Sequence, residues 1–266
     1  MTEIITIGLN TFREAIRNKI LYIILLFAVL LIASSIFLST LALDAAIPVI
    51  KNLGLSAINV FGLLVAMFIG VSLIPQEVES KTIYMIVSQG VARWQFVLGK
   101  FLGLLLTVYA MVALMSLLFF GVLLAMVGPH DDTYLWMLKA IFMQLFEMLI
   151  IVSVAILFSS FSTPILSAML TLIVYIIGNM TNDFWDFIRL ESEKVGAYAP
   201  NVLFYKFIWS LCPHLDMLNL KKVVVHFEEL PASLTYFPYG VAISHAVVYA
   251  AVVLGLSCVA FSKRDF

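Results

Sequence analysis

Glu147 is an acid set deep inside a long apolar stretch, and Gln144 stands three residues before it, on the same face of a helix. A carboxylate in hydrocarbon is costly, so this one should face a bundle interior or a cavity. Two chemistries stay open for the pair: contact with a transported substrate or proton, or a protonated, hydrogen-bonded carboxyl with a purely structural role. His245 lies in another apolar stretch with no second ligand spaced to help it, and reads as a helix contact rather than a metal ligand. Cys212 and Cys258 read as packing residues, because one falls in a polar region and the other in an apolar run. Neither GxSxG nor HExxH occurs, and no GxxxxGK[ST] phosphate loop is present, so the chain cannot bind ATP by that device. No catalytic residue and no metal ligand is assigned.

A second set of polar residues is the passage from Gln76 to Lys100, QEVESKTIYMIVSQGVARWQFVLGK, an island of charge between apolar runs. Pro75 can end or kink the helix before it. Glu77, Glu79 and Lys81 precede a run from Thr82 to Ser88 that puts Ile83, Ile86 and Val87 on one face; Gly90 breaks it, and Arg93 leads into the next span. Such a run forms either a short amphipathic helix that docks into a groove on a soluble partner, or a solvated loop whose apolar residues touch lipid. Lys100 reads as an anchor to anionic headgroups, and Arg93 stays open between anchoring and partner contact.

These residues need elements to hold them, and the composition says which kind. The chain of 266 residues is 63% hydrophobic and 12% charged, with mean hydropathy +1.10, against about 25% charged residues in a soluble domain. It reads as an all-α polytopic membrane protein, and its net charge of -1 gives no reason to expect nucleic acid as a partner. A helix needs about 20 apolar residues to cross the bilayer core. Ile20 to Leu43, Leu53 to Pro75, Phe101 to Val127 and Val241 to Phe261 qualify as single spans, while the stretch from Ala140 to Asn182 is twice the needed length. Ser159 to Pro164 is a turn signal inside it, dividing it into Ala140 to Phe158 and Pro164 to Asn182 and giving six transmembrane helices.

Lysine and arginine near the span ends favour both termini in the cytoplasm. Arg13, Arg17, Lys19, Lys81, Arg93, Lys100, Lys263 and Arg264 then lie inside, against Lys51 and Lys139 in short outer loops. The first apolar run is uncharged, too long for a signal-peptide core and followed by no cleavage pattern, so it is expected to remain as an anchor. Residues 3–19 place Ile5, Leu9, Phe12 and Ile16 on one face, opposite Glu3, Asn10 and Glu14, as an N-terminal amphipathic helix lying in the membrane interface does. Residues 183–240 form an outer segment, with a short interfacial helix over 183–194 and an apolar piece, Asn201 to Leu211, bracketed by Pro200 and Pro213, that packs on the outer mouth or re-enters part way. Asn179 and Asn182 read as caps at the outer end of the fifth span. The whole chain, 1–266, reads as one membrane domain.

Four stretches together resemble the ABC-2 type permeases, the membrane subunits of one class of ABC exporter. Glu79 to Ile83 and Ser88 to Lys100 look like the glutamate-bearing coupling segment of that family, although Gly90 stands where members often carry proline. Thr11 to Lys19 is similar to its entry helix. Pro213-His214-Leu215-Asp216 and the closing Phe261 to Phe266 are similar to stretches of its NosY-like branch. The resemblance implies a dimeric permease, as homodimer or heterodimer, with a cytoplasmic coupling helix between the second and third spans and outer re-entrant helices before the sixth. It implies that Glu79 helps hold the coupling segment while Thr82, Ile83, Tyr84, Ile86 and Val87, with Arg93 beside them, face a separate ABC ATPase. ATP and Mg would sit on that partner, and no cofactor on this chain. The expected setting is the cytoplasmic membrane of a prokaryote, among membrane lipids. Two rival classes are a proton-coupled secondary carrier using Glu147, which lacks the expected internal repeats, and an intramembrane enzyme, which lacks a motif. Cargo and direction are not written in the residues, although the family leans towards export.

Overall fold

The computed structural model describes residues 2–41, 46–79, 92–128, 133–195, 200–225 and 239–263, and over these it is built from helices without a strand. In chain order they are α1 (Thr2–Arg17), α2 (Lys19–Leu41), α3 (Ala46–Glu79), α4 (Arg93–Val127), α5 (Thr133–Phe161), α6 (Pro164–Asn179), α7 (Thr181–Val195) and α8 (Pro200–Leu211). A 3-10 turn (Leu215–Leu218), the short α9 (Lys221–Val225) and α10 (Tyr239–Ser262) complete the order. Five helices, α2, α3, α4, α5 and α10, are long and apolar enough to cross a membrane. The expected fifth span, Pro164 to Asn182, is different: α6 has only 16 residues, and α7 follows it at a bend of 58°. The pair makes a sixth span only if the broken helices are taken together.

The boundaries follow local chemistry. At the start of α4 the Gln95 side chain accepts the backbone N–H of Ala92 at 2.9 Å, satisfying a donor that the helix leaves orphaned, so the helix begins eight residues before the apolar run. Pro164 opens α6 at a position where a proline loses no intrahelical bond. Pro75 does not end α3, which continues to Glu79 as one helix of 34 residues. Serine and threonine hydroxyls inside the spans mostly donate back to carbonyls three or four residues earlier, as Ser35 does to Ile32 and Thr107 to Gly103, while the buried Ser167 hydroxyl of α6 has no partner among the described residues.

α3 and α5 form the centre and pack against each other, with α2 and α4 against α3 and α10 against α5. Ser160 of α5 and Ser257 of α10 share a hydrogen bond at 3.1 Å. α1 lies along α4. Its apolar stripe, Ile5, Leu9 and Ile16, stays exposed, while Gly8, Thr11 and Ala15 face α4. That is the arrangement an interfacial helix needs, with the stripe left for lipid and small residues against protein. A Cβ at Gly103 would come within 2.4 Å of the Gly8 carbonyl, and one at Gly99 within 2.7 Å of the Ile7 side chain. The two glycines, four residues apart on α4, therefore set how closely the helices approach.

At the other end the segment between α8 and α10 turns inward. A Cβ at Gly178 would meet the Pro213 carbonyl and the Leu215 side chain at 2.8 Å, so the chain after α8 seats directly on α6. Leu215, Leu218, Leu220 and Val224 are buried, and α9 packs against α3 and α5. The apolar piece expected to pack on the outer mouth or re-enter, Asn201 to Leu211, forms most of α8 and leaves Leu203, Phe204, Phe207 and Leu211 exposed; it is the following stretch, up to Val225, that packs inward.

Candidate functional site

Three central helices each turn one polar face towards the same point. On α3, Ser56 and Asn59 are one turn apart; on α5, Ala140, Gln144 and Glu147 recur at helical spacing; on α6, Ser167, Thr171, Tyr175 and Asn179 recur every four residues. Opposite faces of α6 carry Ile165, Met169 and Ile173, which are exposed and suited to lipid. A cavity of about 160 Å³ opens where the polar faces converge, closed on one side by Leu218, Asn219, Leu220 and Lys221.

The hydrogen bonds run in a chain. The Tyr175 hydroxyl donates to Asn59 Oδ1, and Asn59 Nδ2 donates to Glu147 Oε2 at 2.8 Å. Glu147 is 1% exposed, and its second oxygen, Oε1, is buried and accepts no hydrogen bond among the described residues. Gln144 donates its amide N–H to the Leu55 carbonyl at 3.5 Å, a long contact. Lys221 reaches in from α9 and donates through Nζ to the Ser56 hydroxyl. Burial pushes the Lys221 ammonium below the ordinary lysine range, so a negative partner there would be favoured. No group of three histidine, cysteine or acidic residues among the described residues is placed to hold a metal ion.

Gln144 and Glu147, singled out in the sequence, both line this cavity. Asn59, Tyr175, Lys221 and Ser56 were not singled out, although Asn59 stands in the middle of an apolar run, the same signal that pointed to Glu147. Asn179 is placed differently from the expected cap: its amide donates to the Tyr175 carbonyl at 3.1 Å, and its side chain lies close enough to Glu147 to influence the carboxyl. His245 packs its ring 5.1 Å from that of His214, in the stretch after α8, so a second histidine stands beside it where the sequence spacing offered none. His214 is buried against Trp209, and neighbouring Asp216 accepts the Thr181 hydroxyl, which ties the stretch after α8 to the bend between α6 and α7.

The residues expected to meet a partner are less completely placed. Glu79 is the last residue of α3; Thr82, Ile83, Tyr84, Ile86, Val87 and Gly90 lie outside the described residues. Arg93, at the first turn of α4, donates to the Ser262 carbonyl at 2.7 Å and so joins α4 to the end of α10. Phe96 stacks on Phe261 just beyond, with centroids 5.5 Å apart. Lys100, expected as a headgroup anchor, is instead buried, 3.8 Å from Glu14 of α1 and over the Phe96 ring. The helix start that Gln95 secures carries Lys100 into the α1 contact rather than to the surface.

A sequence profile described as ABC-2 family transporter protein matches residues 5–266. The chain belongs to the ABC-2 transporter family. Comparison with curated proteins gives no match. Membership makes this ABC-2 protein a membrane component of a transporter, a role consistent with its apolar helices.

Proposed function

We propose that this ABC-2 protein is the permease subunit of an ATP-driven exporter of the NosY-like branch, working as a homodimer or heterodimer. It resides in the cytoplasmic membrane of a prokaryote with both termini in the cytoplasm. A separate ABC ATPase binds ATP and Mg and docks on the passage from Glu79 to Arg93. Glu79 holds that passage, while Thr82, Ile83, Tyr84, Ile86 and Val87 face the ATPase.

One observation carries the reading: α3 runs unbroken from the cavity to the passage. Asn59 and Glu79 are 20 residues apart on that helix, about 30 Å at helical rise. A continuous helix moves as a rod, so a push at Glu79 shifts Ser56 and Asn59 against Glu147 and Lys221. Arg93 sits at the other end of the passage and holds α4 to α10, so movement there reaches a second pair of helices.

Co-purification tests this. Ile83→Asp and Glu79→Ala should each insert normally yet lose the ATPase during purification or uncouple its hydrolysis. Unchanged co-purification and unchanged stimulated hydrolysis in both variants would remove the passage as the docking site. The buried Glu147 also suits a proton-coupled carrier. Transport by the isolated chain in liposomes, driven by a proton gradient with no ATPase present, would favour that reading instead.

A further inference from the structure

The cavity between α3, α5 and α6 is lined by an ammonium and a carboxyl group, each tied to the same helix. Lys221 is tied to Ser56 and Glu147 to Asn59, and these two partners are one turn apart on α3. The positive and negative ends are thus bracketed along a single turn of one helix, about 5 Å of rise. They do not pair with each other among the described residues: the ammonium spends a hydrogen on a hydroxyl, and the carboxyl takes one from an amide.

Each end is also incomplete. Glu147 Oε1 is buried and accepts nothing among the described residues, and Gln144, one turn away on α5, spends its amide N–H on the Leu55 carbonyl and lines the same cavity. The Asn59 amide is spent on Oε2 and the Asn179 amide on the Tyr175 carbonyl, so Oε1 calls for a ligand that brings its own N–H groups. An ammonium supplies three. A trimethylated ammonium supplies none and could not satisfy Oε1. At the other end, half-buried Lys221 calls for an anion. The cavity, at about 160 Å³, is roughly ten times the space that a single water needs.

We propose that this cavity binds a small zwitterionic group, with a primary ammonium on Glu147 and Gln144 and an anionic group on Lys221, the two about one helical turn apart. An ethanolamine phospholipid headgroup and a free zwitterion share this chemistry. On binding, the ammonium takes over the neutralisation of Glu147, and any proton held by the carboxyl leaves to water.

The test uses the purified full chain in detergent, without an ATPase, so its result is independent of the ATP-driven reading. An equimolar mixture of phosphatidylethanolamine and phosphatidylcholine is added, and bound lipid is read by native mass spectrometry. Separately, glycerophosphoethanolamine is titrated while thermal melting is followed. A lipid source predicts a preference for the ethanolamine lipid of about tenfold, lost in Glu147→Gln and in Lys221→Met. A soluble source predicts a rise in melting temperature with glycerophosphoethanolamine, lost in the same two variants. Gln144→Met, at the same ammonium end, serves if Glu147→Gln does not fold. The proposal is overturned if neither preference nor melting shift is seen, or if what is seen survives these substitutions.

Discussion

The two ends of this molecule are held together by different physics. Where α1 meets α4, contact is backbone against backbone: Gly99 and Gly103 let the helices touch, and the polar groups nearby have partners. In the cavity between α3, α5 and α6, polar side chains converge and a buried carboxylate oxygen is left unsatisfied. An unsatisfied buried acceptor costs about 1–3 kcal/mol, so a region that keeps one is not arranged for stability alone. The seam is close-packed, and the cavity carries an unmet polar demand.

The largest expected effect breaks the seam. Gly103→Leu forces side-chain atoms into the Gly8 carbonyl and Thr11, and backbone cannot yield as a flexible side chain does. Melting in detergent should show a loss of about 3 kcal/mol or more, since overpacking alone costs about 1–3. Gly255→Ala, where a Cβ meets nothing within 4 Å, should stay within about 0.5 kcal/mol of the parent. The Lys100–Glu14 pair adds little to this, because Glu14 is largely exposed.

Next comes the cavity. Asn59→Leu removes the partner of both Glu147 Oε2 and the Tyr175 hydroxyl, and should cost about 1–3 kcal/mol in the same melting assay. Glu147→Gln keeps an acceptor for Asn59 and should be far milder. Tyr175→Phe deletes a single hydrogen bond and should cost about 0.5–1.5 kcal/mol. If the cavity variants matched Gly103→Leu in cost, the contrast between the two regions would be wrong.

The smallest effect is on pH. Burial, with His245 close by, holds the His214 imidazole below its ordinary range, and Asp216 opposes this only in part. The folded protein therefore prefers the neutral ring. That contribution is complete above about pH 6.5 and declines as pH falls below it, because the unfolded chain takes up the proton first. Melting temperature should fall between pH 7.5 and 5.5, and His214→Phe should flatten the fall.

How much of this was legible in the sequence depended on the kind of signal. Apolar runs gave five of the six expected spans, and the hydroxyl-rich turn before Pro164 marked the boundary between α5 and α6 where the structure has it. Glu147 stood out because a charge in hydrocarbon is costly. Asn59 and Tyr175 did not, because a neutral amide or phenol costs less there and its partners lie 88 and 116 residues away in the chain. Lys221 was hidden in a long segment whose inward turn depends on Gly178 being small. Lys100 looked like an anchor because composition cannot show that α1 lies over it. Helix ends were misjudged where a side chain, Gln95, caps beyond the apolar run.

The central claim is that α3 ties the cavity to the passage beyond Glu79. The most direct measurement is ATP hydrolysis by the chain reconstituted in lipid with its ATPase, comparing the parent with Glu147→Gln and following melting alongside. The account predicts a change in hydrolysis of about five-fold or more at nearly constant melting temperature, although the substitution lies about 30 Å from the passage. Hydrolysis identical to the parent in a folded, assembled Glu147→Gln complex would contradict it.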